Sequence, residues 1–189
     1  MDFDVKAAIE TLAHEDLARC RVALMDFYAA TAPLVEGIMK RLESLGLAHV
    51  AQCPATIGIA VWPWRFELIE DAWSFPARSQ VPPQHRVREI FLTADNAQVD
   101  ILTPSGAGHL WTFLEKNGEG LQQIELLTSD VETATAHLRV AGLKPLNDKP
   151  VAGADGTKVN FLLMDASPYV LSTGRKTPAD KVLLELVER

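Results

Sequence analysis

The order strand, helix, then about three strands occurs twice in this chain, at roughly 47–104 and 121–188. A repeated unit of that size constrains the architecture strongly, because each copy must bury the same kind of apolar face. In the second copy, "LQQIELLTSD" reads as a strand. Asp130 then caps a helix that carries Val131, Ala134, Leu138 and Ala141 on one side. "KVNFLLMDA" and "KVLLELVE" follow as strands. In the first copy, "LAHVAQC" reads as the opening strand, "PATIGIAVWPW" as a short apolar segment of helical character limited by Pro63, and "RFELIEDAWSF" as extended. "RVREIFLTAD" and "AQVDILTP" form a strand pair around the turn-prone "ADNA". The expected fold class is α+β, with two βαβββ modules forming a curved mixed sheet around a cleft of quasi-twofold symmetry.

Residues 1–46 precede this repeat and read as helix. Val5, Ala8, Ile9 and Leu12 share a face behind Asp4, and Leu17, Cys20, Leu24, Phe27 and Tyr28 continue at helical spacing. Thr31 is expected to cap a third stretch, with Pro33 in its first turn and Leu34, Ile38, Leu42 and Leu45 as its stripe. Gly46 stops it. Such helices cover a sheet or contribute to a homodimer. The domain plan is an N-terminal helical extension at 1–46 and one domain at 47–189, with modules at about 47–104 and 121–189 joined through the "SGAG" loop and the "HLWTFLEKNGEG" helix.

Composition enters as exclusion. The net charge of -7 with no basic run argues against a nucleic-acid partner. No uninterrupted apolar stretch approaches the ~20 residues of a membrane span, and "MDFDVKAAIE" lacks a signal layout, so a cytoplasmic chain with no membrane partner is expected. Cys20 and Cys53 follow no metal or redox spacing and read as packing residues. Trp62, Trp64, Trp73 and Trp111 suit either an apolar pocket or core filling.

The strand "GLQQIEL" is unusually polar. Gln123 and Glu125 are two apart and share one face, expected to be the inner one, while Gln122 is expected to look outward. Polar groups on an inner face are costly unless something binds them.

From about residue 84 to 189, "DILTP", "FLEKNGEGLQQIELLTSDVETA", "AGLKPLNDKP", "GTKVNFLL" and "VLLELVE" resemble the vicinal oxygen chelate superfamily of glyoxalases, extradiol dioxygenases and bleomycin-resistance proteins. Within it the text is most similar to the methylmalonyl-CoA epimerases. The resemblance implies a metal site with one ligand on the first and last strand of each unit: His49, Asp100, Gln123 and Glu185. Such a nitrogen and oxygen set suits a divalent metal such as Co, Ni, Mn, Fe, Zn or Mg. Gln84, in "PPQHRV", stands where those epimerases carry a glutamate base, and an amide cannot take a proton. His85, next to it, is expected to point to the other face. Glu125 or Glu185 is the expected replacement base, and Glu125 is also a candidate extra ligand. The expected function is a metal-dependent isomerase, epimerase or lyase that acts on a small carbonyl compound through a metal-stabilised enolate. The alternative is a metal-free small-molecule binding protein of the same fold.

Overall fold

The computed structural model describes residues 3–165 and 181–188. Asp4 accepts a hydrogen bond from the Ala7 amide at 3.0 Å and starts helix α1 (Val5–Thr11). Asp16 does the same for helix α2 (Leu17–Ser44) through the Ala18 amide at 2.9 Å. Each cap satisfies an amide that the first helical turn leaves without a partner. The expected third helix does not start at Thr31. Instead α2 runs unbroken through Pro33, and the Thr31 hydroxyl donates back to the Tyr28 carbonyl at 2.7 Å. By length and composition α2 is apolar enough to cross a membrane. Its apolar stripe, including Leu24, Phe27, Leu34, Ile38 and Leu42, is buried in the main core.

Seven strands follow: β1 (Gln52–Ala60), β2 (Val87–Ala94), β3 (Ala97–Pro104), β4 (Gly120–Thr128), β5 (Val151–Ala152), β6 (Lys158–Asp165) and β7 (Lys181–Glu188). They form one mixed, curled half-barrel sheet in the order β2-β3-β1-β4-β7-β6-β5. Strands β1 and β4 meet antiparallel at the centre, and each has a parallel neighbour on its other side, β3 and β7 respectively. Strands β2 and β6 then add antiparallel. The arrangement is symmetric about the pair Ile57–Ile124. The expected α+β fold with two related modules is present. In the first module the bridge Arg78–Ile90 stands in place of a further strand.

Three expected elements of the first module were wrong. "PATIGIA" is strand β1, not helix, and "LAHV" precedes the sheet as a turn. Its near-continuous apolar run reflects burial on both faces of a central strand. "RFELIEDA" belongs to helix α3 (Pro63–Ala72), not to a strand. Pro63 sits at its first turn, where a missing N–H costs nothing. Phe66 and Ile69, three apart, turn inward together.

Alternation along the strands separates two layers. Ile57, Ile59, Val99, Ile101, Ile124, Leu126, Leu184 and Leu186 join the main core beneath α1, α2, α3 and α5 (Val131–Val140). On the opposite face, Ala60 and Leu102 form a smaller apolar cluster with Leu110 and Leu114 of α4 (His109–Asn117). Each fully buried aliphatic side chain contributes about 1.5–3 kcal/mol. The larger layer therefore dominates stability, and the other face is left to carry a cavity.

Candidate functional site

A cavity of about 660 Å³ lies on that second face. Its lining draws on both modules: Glu89 of β2 and His109 of α4 from one side, Gln123 of β4 and Glu185 of β7 from the other. The floor is built by close approach of β1 and β4. Gly58 faces Gln123 across the two strands, and a Cβ at Gly58 would lie 2.4 Å from the Gln123 Cγ. Only glycine lets the Gln123 side chain lie across β1 here. From this position the Gln123 Nε2 donates to the Glu185 Oε2.

Strand β4 also bulges beside this point. Leu121 pairs with Ile59 and Gln123 with Gly58, so Gln122 is the extra residue. The bulge re-aims Gln122, which is buried and lines the cavity beside Gln123 instead of looking outward as expected.

The twofold relation places the remaining candidates. It carries Gly58–Asp100 onto Glu125–Glu185, and Thr56 onto Gln123. Asp100 and Glu185 thus hold equivalent positions, and both belong to the cavity face of the sheet. Glu125 is buried, with Thr56 and Glu185 as its neighbours in register, and lies beside the lining instead of forming part of it. His49 is not at the site. It occupies the turn before β1 and bonds to His137 of α5 across 2.9 Å, with the two rings edge to face. The first module offers Thr56 at the corresponding corner. Aligning "TIGI" with "QIEL" about their shared isoleucine would have found it.

An imidazole ligand is therefore missing from both modules. The Gln123 amide nitrogen donates to the Glu185 carboxylate. Among the described residues no three His, Cys, Asp or Glu side chains converge to hold a metal. In this arrangement Asp100, Gln123, Glu125 and Glu185 do not fit a divalent metal, which needs several donors near 2.0–2.6 Å.

Two histidines do reach the cavity. His85 lies in the 3-10 turn Pro83–His85, not on a strand, so it turns inward and bonds to the Ala152 carbonyl at 2.7 Å. His109 opens α4. The surrounding walls, and secondarily the neighbouring His85, hold its imidazole below the usual histidine range. Gln84 also lines the cavity. None of the four tryptophans does. Trp62 packs edge to face on Trp111, Trp64 lies under the Arg65 guanidinium, and Trp73 donates to the Leu12 carbonyl at 3.1 Å.

Known proteins share this architecture. A methylmalonyl-CoA epimerase from Mycobacterium tuberculosis superposes with a TM-score of 0.55 at 24% identity, over 70% of this chain and 85% of that one. A Streptomyces coelicolor methylmalonyl-CoA epimerase variant in complex with 2-nitronate-propionyl-CoA gives 0.55 at 27% identity, over 73% and 94%. In sequence, an ethylmalonyl-CoA/methylmalonyl-CoA epimerase from Cereibacter sphaeroides is 37% identical over 86 residues, 44% of this chain. The chain spans 64% of that relative's length. A family model covers residues 35–161, and the chain belongs to the Glyoxalase/Bleomycin resistance protein/Dioxygenase superfamily.

Proposed function

We propose that this chain is an isomerase of the epimerase kind, moving a proton beside the carbonyl group of a small molecule bound in the cavity between its modules. The observation that carries this reading is the Gln123–Glu185 pair on the cavity floor. Glu185 is the proton acceptor. Gln123 orients it by donating a hydrogen bond to the Glu185 Oε2. The amides of Gln122 and Asn117 line the same space and can donate to an oxygen that gains charge as the proton leaves. Glu89 and His109 belong to the opposite wall. A substrate held between Glu185 and these groups meets titratable side chains on two sides, as stereochemical inversion requires. His109, whose imidazole is held below the usual histidine range, can accept or return a proton. The similarity to epimerases supports the reaction class. The donor set does not fit a divalent metal, so no step passes through one.

The test is solvent deuterium uptake at the carbon beside the carbonyl, followed by NMR, with branched acyl thioesters in the wild type and Glu185→Ala. Uptake should fall by about 10²-fold or more in the variant. Equal uptake in both would overturn the assignment.

A second reading is a metal-free binding protein, and Gln84 favours it. Gln84 brings an amide to the cavity where the resembling epimerases carry a base. Saturable binding without deuterium uptake is its signature.

A further inference from the structure

We propose that the cavity selects neutral, largely apolar carbonyl compounds and turns away carboxylates. This inference names a substrate class for the site described above and rests on the reading that the cavity binds the ligand.

The lining shows what the site offers a ligand. Leu102, Phe113, Val159, Phe161, Leu163 and Leu183 supply apolar walls. Gln122, Gln123, Asn117 and Asn147 supply neutral amides that both donate and accept. The charged groups are two carboxylates, Glu89 and Glu185. Among the described residues no lysine or arginine lines the cavity.

Three described arginines that adjoin lining residues already have partners. Arg86 donates to the Ala107 carbonyl. Arg139 donates to the carbonyls of Asn147 and Asp148 at 3.2 and 2.7 Å. Arg88 pairs with Glu67 at 2.8 Å and stacks on Phe66. Among the described lining residues His85 and His109 are the basic groups, and His109 is held toward its neutral form.

A ligand carboxylate entering this space gives up hydration, meets no lysine or arginine among the described lining residues and lies beside the acids Glu89 and Glu185. A ketone, ester or thioester of the same shape loses little hydration and gains amide hydrogen bonds. The volume of about 660 Å³ suits a molecule of ring-containing, drug-like size.

The probes are 2-acetylnaphthalene and 2-naphthoate, which share a skeleton and differ in charge. Binding is measured calorimetrically at about pH 7 after dialysis against EDTA, and again with added Mn²⁺. The ketone should bind about thirtyfold or more tightly than the carboxylate in both conditions. Glu89→Gln should shrink that ratio by about threefold or more, because one repelling charge is gone. Three results would overturn the proposal: naphthoate within about threefold of the ketone, naphthoate rescued by Mn²⁺, or no ketone binding up to about 5 mM. Ketone selectivity without deuterium uptake on any thioester would sink the isomerase reading and leave this one standing. Uptake with equal binding of both probes would do the reverse.

Discussion

Replacing Gly58 by alanine tests how the site floor is built. The new Cβ would sit 2.4 Å from the Gln123 Cγ and 3.2 Å from the Leu102 Cδ1, where ordinary contacts lie at 3.4–4 Å. The Leu102 methyl is a flexible tip and can yield. The Gln123 Cγ must retreat by about 1 Å, and it is too close to the backbone to do so without changing rotamer, which ends the bond to Glu185. Overpacking costs about 1–3 kcal/mol. A lost hydrogen bond to a charged group adds about 1.5 kcal/mol. Alanine in a strand interior returns about 0.5–1 kcal/mol relative to glycine. The net loss is about 1.5–4 kcal/mol, or a fall of about 0.8–2 M in the urea midpoint at a slope near 2 kcal/mol/M. Gln123→Ala removes the clashing atom. In that background Gly58→Ala should be neutral or stabilising by about 0.5 kcal/mol, so the cycle changes sign. An equal cost in both backgrounds, or a cost under about 0.5 kcal/mol in the wild type, would refute the account of the floor.

Four further outcomes are expected. His109, followed by NMR, should titrate below the ordinary histidine range, and His85→Ala should move it upward. Because the folded protein disfavours the charged form, this group adds stability above the unfolded value and loses it as pH falls toward the folded one. Glu70 is buried against Arg78, whose hydrogen bonds at 2.5 and 2.6 Å hold its carboxyl below the usual range. Its contribution should be present above the ordinary glutamate value and fade as acid protonates it, and Glu70→Gln should flatten the wild-type fall in urea midpoint over that window. His49→Ala should cost under about 1 kcal/mol and leave ligand binding intact, since the His49–His137 contact lies outside the cavity. Dialysis against EDTA should leave ligand binding unchanged and elemental analysis should show less than one metal per chain; stoichiometric zinc, manganese or nickel would contradict the donor geometry.

The second module was legible because its signals agree. Asp130 caps α5 through the Thr133 amide at 2.9 Å, and the apolar spacing matches the face that is buried. The first module misled because β1 is buried on both faces, so its alternation disappears into a continuous apolar run. Helix α3 misled for the opposite reason. Trp64, Phe66 and Leu68 alternate with the charged Arg65 and Glu67 in sequence, while Trp64 and Leu68 are exposed and Phe66 and Ile69 face the main core. His49 followed from the shifted strand: once β1 begins at Gln52, the histidine falls in the preceding turn. Gln122 depended on a bulge, and His85 on a 3-10 turn, neither of which has a period to read. Residues 166–180 lie outside the described residues.

The twofold relation separates what is constrained from what is free. On the core face the equivalent positions Ile57 and Ile124, Val99 and Leu184, and Ile101 and Leu186 are all apolar and buried. On the cavity face the equivalents differ in kind: Thr56 against Gln123, Gly58 against Glu125, Asp100 against Glu185. Close packing explains part of this asymmetry. The Gln123 side chain covers Gly58, so the first module cannot also place a glutamate there without the clash already worked out. The long polar side chains consequently gather on the second module, and the first supplies a glycine floor and the opposing wall with Glu89 and His109. Side chains on the cavity face can therefore differ between the two modules while the core that specifies the half-barrel stays as it is.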